Sequence, residues 1–537
     1  MQYRRGAFVS FASVILFVVT LASPGAAEQA GDTASSWLPA GLLEDESMTA
    51  EATAAPEAVT SIDADSGFAF SQHDIAAMVE NYLAQREAIA ASPPSCRCDP
   101  FPEMTARWHH GLEFASEDDE FKFHVGGRYQ FDTAWFGADQ AVQENINIPY
   151  GDGVDFRRAR FSMNGTIYRV IDYATEIDFV NSFRAASQQP ISITNPGFVE
   201  NTTVALTDFW WQLREVPFFG TIRVGQQKEA IGFEHLVSSR FLPFMERSFN
   251  QDTFYGGNFN GFTPGIAAFR NYGADDQGVI QYGLYKPINN VFGFSTGTGD
   301  YSVVGRLTRL LWYQDQGREL LHLGVSGKQA TAVSQAGVDG RVQLYRTRDA
   351  VRSGLSQDWP VPAGIALYGD DYQQVNAELA WVAGPWTLQG EYLVSGHQDA
   401  RTDLANPSGG TVTYHGGYLQ LMVFLTGEHD QYNKATGVFG RVLPRQSFGK
   451  RTQAGRARFS GGAWQMGGRY NYLDLNDEGF NGGVLHNQTY GLNWFLNPNM
   501  KAQFNYSATY RDVSQTNNFP DGSGWIHGFG TRIAMDF

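Results

Sequence analysis

Cysteine is nearly absent from this chain of 537 residues: Cys96 and Cys98 are the only two, so no disulfide framework holds the fold. Cys96-Arg97-Cys98, even with His109-His110 nearby, also lacks the ligand number and spacing of a metal site. Long apolar runs are equally scarce. After the stretch from Ala7 to Leu21, no segment approaches the ~20 residues that a membrane-spanning helix needs. Charge is sparse at 18% and its balance is −17, which argues against general nucleic-acid binding. There is no Ser-centred elbow, His-Glu-x-x-His spacing or P-loop, so neither an enzyme nor a cofactor is expected.

Glycine and aromatic residues are plentiful instead, 59 residues and 14% respectively, a composition that suits strands and turns better than helices. Three regions follow one another. Arg4 and Arg5, the apolar stretch and Ser23-Pro24-Gly25-Ala26-Ala27 have the layout of a signal peptide, residues 1–27, cut after Ala27. Residues 28–106 form an Ala/Pro-rich linker. Up to residue 100 the linker holds thirteen acids against Arg86 and Arg97, a balance expected to be disordered. Within it Ser71 and Asp74 can cap a short amphipathic helix near 72–92, with Ile75, Val79, Tyr82 and Ile89 at helical spacing. That helix either packs on the main domain or self-associates. Residues 107–537 form the third region.

From about Arg107 the pattern becomes strict alternation. Phe121, Phe123, Val125, Tyr129, Phe131 and Trp135 share one face, and Lys122, His124, Arg128, Gln130 and Asp132 the other. Trp464, Met466, Tyr470 and Tyr472 oppose Gln465, Arg469 and Asn471, and the run from Met500 to Arg511 behaves likewise. A soluble sheet alternates too, with its apolar side inward. Strands of ten or more residues after an export signal, with connections alternating short and long, fit a transmembrane antiparallel β-barrel, apolar outside and polar inside. The expected fold is therefore all-β. Asn497-Pro498-Asn499, Gly384-Pro385 and Asp275-Asp276-Gln277-Gly278 are the expected short periplasmic turns, and Asp512 to Gly524 a long outer loop. One connection of about 35 residues, between strands near Tyr414–Leu425 and Ala463–Leu473, falls on the periplasmic side by parity. It is either a folded periplasmic segment or hides a missed strand pair. It is also basic, with Lys434, Arg441, Arg445, Lys450, Arg451, Arg456 and Arg458 against Glu428 and Asp430.

WHHGLEFASEDDEFKFHVGGRYQFDTAWF, FRRARFSMNG, SSRFLPFMERSF, WTLQGEYLV, FLTGE, AWQMGGRYNYLDLND and YGLNWFLNPN, in that order from Trp108 onward, resemble successive blocks of the phosphate-selective porin O and P family. The resemblance implies a 16-stranded outer-membrane barrel, a homotrimer, a long loop folded into the lumen, and passage of phosphate or polyphosphate. It also implies that Arg240 and Arg247, in the block that matches the inward loop, sit near the constriction. Strand parity supplies the other anion-binding candidates. Outward Phe161 and Met163 turn Arg158 and Arg160 inward, Ile222 and Val224 do the same for Arg223, and Arg128, Arg469 and Lys501 follow by the same argument. Arg511 would stand at the outer mouth. The chain closes on GFGTRIAMDF, resembling barrels whose terminal aromatic, here Phe537, is read by the insertion machinery; Arg532 and Asp536 are expected to face the lumen as a pair.

Against simple anion selectivity, residues 101–537 hold 35 basic and 43 acidic side chains, and Glu176, Asp178, Asp208 and Glu391 also fall on lumen positions. Two alternatives to an anion porin therefore stand: a weakly selective porin for other solutes, and a barrel that anchors the envelope through its N-terminal helix.

Overall fold

The computed structural model describes residues 76–77, 79–84, 102–146, 150–180, 204–255, 261–287, 300–334, 341–352, 362–451, 455, 457–459, 461–516 and 522–537. The expected signal peptide, Cys96 and Cys98 lie outside the described residues. Residues 76–77 and 79–84 are helical and exposed.

Among the described residues sixteen strands close into an antiparallel barrel. They are β1 Lys122–Ala138, β2 Gly153–Ile167, β3 Ile171–Asp178, β4 Ala205–Val216, β5 Gly220–Gln227, β6 Thr263–Tyr272, β7 Gly278–Tyr285, β8 Ser302–Gln314, β9 Glu319–Thr331, β10 Asp371–Ala383, β11 Trp386–His397, β12 Val412–Phe424, β13 Ala463–Asp477, β14 Phe480–Asn497, β15 Met500–Asp512 and β16 Gly524–Asp536. Each pairs with its neighbour in sequence, and β16 closes the ring on β1 from Ile526↔Ala138 to Asp536↔Arg128. Phe537 extends the seam by exchanging both backbone hydrogen bonds with Gly127. Below that point Leu112–Ser116, one arm of a hairpin with Met104–Trp108, takes over the edge of β1, with Leu112 opposite Val125. The strand edge that β16 leaves is thus covered.

The alternation dictates which side of each strand meets lipid. Along β16, Trp525, Phe529, Ile533 and Met535 point outward, whereas Arg532 and Asp536 are buried on the lumen side. Such a continuous apolar exterior is what hydrocarbon requires and what a water-exposed sheet would not tolerate. Arg532 and Asp536 do not pair with each other, contrary to expectation. Arg532 binds Asp132 at 2.7 and 2.6 Å on β1, and Asp536 is taken by Arg441. Neighbours on the same face of one strand point the same way, so cross-strand and loop partners reach them first.

On the rim that carries Phe537 the turns at 498–499, 384–385 and 273–277 are short, and most connections at the other rim are long. The connection 425–462 is the exception on the Phe537 rim. Among its described residues there is no spanning pair: a short ladder of Tyr432–Asn433 with Val438–Phe439 turns up into the barrel.

Leu419 lies near the middle of β12 and is 52% exposed on the lipid side. Leu419→Arg is expected to cost about 2–4 kcal/mol of barrel stability, read as a lower unfolding temperature of the SDS-resistant band.

Candidate functional site

Three connections fill much of the lumen, and each does so because its sequence cannot lie on a surface. The segment 228–262, between β5 and β6, buries Ile231, Phe233, Leu242, Phe244, Met245, Phe249 and Phe254 almost completely. Inside the barrel its backbone needs partners, and the wall provides them as side chains. Glu391 accepts the N–H groups of Phe233 and Glu234, and Asn505 accepts Met245 N–H at 2.7 Å. Lys501 donates to Leu242 O at 2.8 Å, Asn493 to Pro243 O at 2.8 Å, and Arg469 to Glu246 O at 3.0 Å.

The second segment, 332–370 between β9 and β10, folds a small sheet of Val333–Ser334, Arg341–Thr347 and Ala363–Tyr368. Arg348 clamps Asp252 of the first segment at 2.7 and 2.9 Å, and Arg352 reaches Asp252 at 3.0 Å and Glu246 at 3.2 Å. The third is the in-turned connection 425–462. Phe439 meets Phe233 edge-on at 5.1 Å, Tyr432 bonds His322 at 2.7 Å, and Arg306, paired with Glu378, donates to Thr436 O and Gly437 O. Two apolar clusters result, one around Phe233, Leu310, Leu320, Val382 and Phe439, the other around Ile231, Phe249, Tyr345, Leu393 and Leu473. Among the described residues, both clusters pack largely against β8–β14.

A cavity of about 350 Å³ lies beside β1–β7. Ten basic side chains line it, Arg128, Arg157, Arg158, Arg160, Arg223, Lys228, Arg240, Arg247, Arg348 and Arg352, against the five acids Glu176, Asp178, Asp208, Glu246 and Asp252. Six of the eight sequence candidates are thereby brought together. Arg160 binds Asp178 and Glu176, each at 2.7 Å, Arg128 also binds Glu176, and Arg240 lies 3.7 Å from Glu176 and from Asp536. Arg158 donates to the Gln130 amide oxygen at 2.6 Å. Three cations make no ion pair with a carboxylate among the described residues. Arg223 donates to Gln212 and stacks 3.8 Å over the Trp210 ring, Arg247 donates to Glu234 O and Val237 O, and Lys228 to His235 O and Val237 O. The other two candidates, Arg469 and Lys501, face inward on the far wall and end on the 228–262 segment, Arg469 also pairing with Glu234 at 3.1 Å.

Parity missed Arg157. Gln130 pairs with Arg158 but Phe131 with Phe156, so Arg157 is the extra residue of a β-bulge. Val154 and Phe156 face lipid before it and Phe161 after it, and the three arginines between them, Arg157, Arg158 and Arg160, turn inward. The switch of apolar positions from even to odd numbers was the available signal. Lys228, Arg348 and Arg352 lie outside strands, where alternation says nothing.

The sequence model of the phosphate-selective porin O and P family matches residues 123–536. The chain belongs to the phosphate-selective porin O and P family. As such it is an outer-membrane porin, and the family and fold are those of channels. Porin O of Pseudomonas aeruginosa is 26% identical over 465 residues, 80% of this chain and 91% of Porin O. An uncharacterized protein of Caulobacter vibrioides is 26% identical over 463 residues, 85% of this chain and 81% of its own length. Among solved structures, OmpF of Salmonella typhi superposes with a TM-score of 0.43 at 10% identity, over 81% of this chain and 100% of OmpF. OmpT of Vibrio cholerae gives 0.42 at 9%, over 78% and 98%.

Two outcomes follow from how the porin's lumen is held. Arg469→Ala strips Glu234 and Glu246 O of a buried partner, so the seat of the 228–262 segment weakens by about 3–5 kcal/mol and single-channel recordings show a larger, noisier conductance. Asp430, outside the spanning strands, accepts a hydrogen bond from Thr387 at 2.7 Å, and burial pushes its carboxyl up to about 6. The docked state therefore favours the protonated acid, so it gains stability as pH falls from 7 through 6 and loses it as pH rises. Asp430→Asn should raise the unfolding temperature at pH 7.5 and shrink its difference from that at pH 5.

Proposed function

We propose that this porin is an anion-preferring channel for passive diffusion of small oxyanions of the phosphate and polyphosphate class. The observation that carries the reading is the two-to-one excess of basic over acidic side chains around the cavity of about 350 Å³. Low-dielectric walls focus such an excess, and planar guanidinium groups donate paired hydrogen bonds that suit phosphate oxygens. Arg223, Lys228 and Arg247 strengthen it, because each is held by neutral acceptors and keeps its charge uncompensated by a contacting carboxylate among the described residues. A volume near 350 Å³ holds roughly a dozen waters at about 30 Å³ each, enough for an oxyanion that keeps part of its hydration. The family's designation, phosphate-selective, agrees with the chemistry.

The same reading takes residues 1–27 as the export signal, Phe537 as the residue presented to the insertion machinery, and a homotrimer in outer-membrane lipid as the working form. The acidic linker 28–106 with its short helix and the barrel domain 107–537 are its two mature parts. A weakly selective porin is the second reading, favoured by the five acids that share the cavity.

Planar-bilayer reversal potentials in a tenfold potassium chloride gradient decide between them. The anion reading expects the potential to lie toward that of chloride, with chloride current blocked by added phosphate. Arg223→Gln together with Lys228→Gln should raise the phosphate concentration for half-block at least tenfold. A reversal potential on the cation side rejects the reading, and one near zero favours the weakly selective channel.

A further inference from the structure

Glu246 stands at the meeting point of four guanidinium groups. Arg157 grips it with two hydrogen bonds at 2.8 and 3.1 Å, Arg532 donates at 2.9 Å, and Arg352 and Arg158 form ion pairs with it at 3.2 and 3.9 Å. These come from three elements far apart in sequence: the bulge of β2, the second in-folded segment, and β16. Glu246 itself is on the 228–262 segment and is 4% exposed. Arg532 is balanced also by Asp132, and Arg352 by Asp252, but Arg157 and Arg158 have no other carboxylate in ion-pair contact among the described residues. Both line the cavity, as does Glu246. A structural salt bridge needs one cation for its carboxylate. Four guanidiniums around one carboxylate have the composition of an oxyanion site with an occupant already in place.

We propose that Glu246 is a tethered counter-anion, bound where a passing oxyanion would otherwise settle between Arg157, Arg158 and Arg352, and that it sets how weakly the channel holds its solute. The inference rests on the anion-channel reading above and deepens it. A pore must bind its ion well enough to admit it and loosely enough to let it go. A cluster of bare arginines fails the second condition, since their paired hydrogen bonds to phosphate are strong and slow to break. A carboxylate attached to the segment competes at a fixed and high local concentration. A solute oxyanion then exchanges with it for the guanidinium donors, and Glu246 returns to them when the solute moves on. No covalent step is involved, and the solute class is a small tetrahedral oxyanion.

The test is phosphate block of chloride current in the full-length wild type, Glu246→Gln and Glu246→Asp porins, each first shown to run as an SDS-resistant, heat-modifiable barrel. Glutamine keeps the shape and one acceptor oxygen but removes the competing charge. Glu246→Gln is expected to lower the phosphate concentration for half-block at least tenfold and to lengthen the blocked events, while Glu246→Asp stays within about threefold of wild type. A half-block concentration in Glu246→Gln equal to or above that of wild type overturns the proposal. If Glu246→Gln does not form the resistant barrel, Arg157→Gln carries the test: with one clamp gone Glu246 neutralises Arg158 more fully, and half-block should need at least tenfold more phosphate. An unchanged value in that variant overturns the proposal. A wild-type channel that prefers cations or ignores phosphate rejects the anion reading itself, whereas an anion-preferring wild type with an indifferent Glu246→Gln rejects only the role of Glu246.

Discussion

Hydrocarbon offers a peptide group no hydrogen-bond partner, so every N–H and C=O at membrane depth must be satisfied by the chain itself. The seam between β1 and β16 exists for that reason, and so does the handover below it, where Leu112–Ser116 continues the edge after Phe537. The same constraint reappears inside. A segment that leaves the wall and enters the lumen gives up strand pairing, and here Glu391, Asn493, Lys501, Asn505 and Arg532 replace the missing ladder one backbone group at a time. The polar lumen face of the strands is therefore scaffold as well as channel lining.

Electrostatics follows from that arrangement. Most lumen charges are committed to each other or to the in-folded segments, and the overall balance of the chain says little about what an ion meets. On the proposed reading it meets the small set around the cavity beside β1–β7, where basic groups outnumber acids although the chain as a whole is acidic. Asp132, Glu234 and Glu378 count toward the overall charge yet sit behind the wall of the passage, paired with Arg532, Arg469 and Arg306.

Much of this was legible in the residues. The period-2 pattern revealed the barrel and its two faces, and outward Phe161 and Ile222 were enough to turn Arg158, Arg160 and Arg223 toward the lumen. Parity assigns a side, however, and not a depth or a partner. It grouped Arg469 and Lys501 with the others, although they end on the 228–262 backbone and are not part of the cavity lining. It lost Arg157 to a bulge that shifts the count by one. The joining of Glu246 to Arg157, Arg352 and Arg532 spans nearly three hundred positions in the chain and leaves no local trace. The connection 425–462 was conspicuous by its length and charge, but its inward turn depends on Phe439 finding Phe233, a contact between segments that share no periodicity.

The lopsided filling of the barrel also has a mechanical side. Among the described residues, strands β8–β14 are backed by packed apolar clusters and would resist inward pressure as a protein core does, whereas strands β2–β6 face the cavity. The cylinder is in effect a stiff half-shell joined to a compliant strip. Lateral compression by the surrounding bilayer is then taken up mainly by the strip, so the width of the passage is the direction in which the molecule yields most easily.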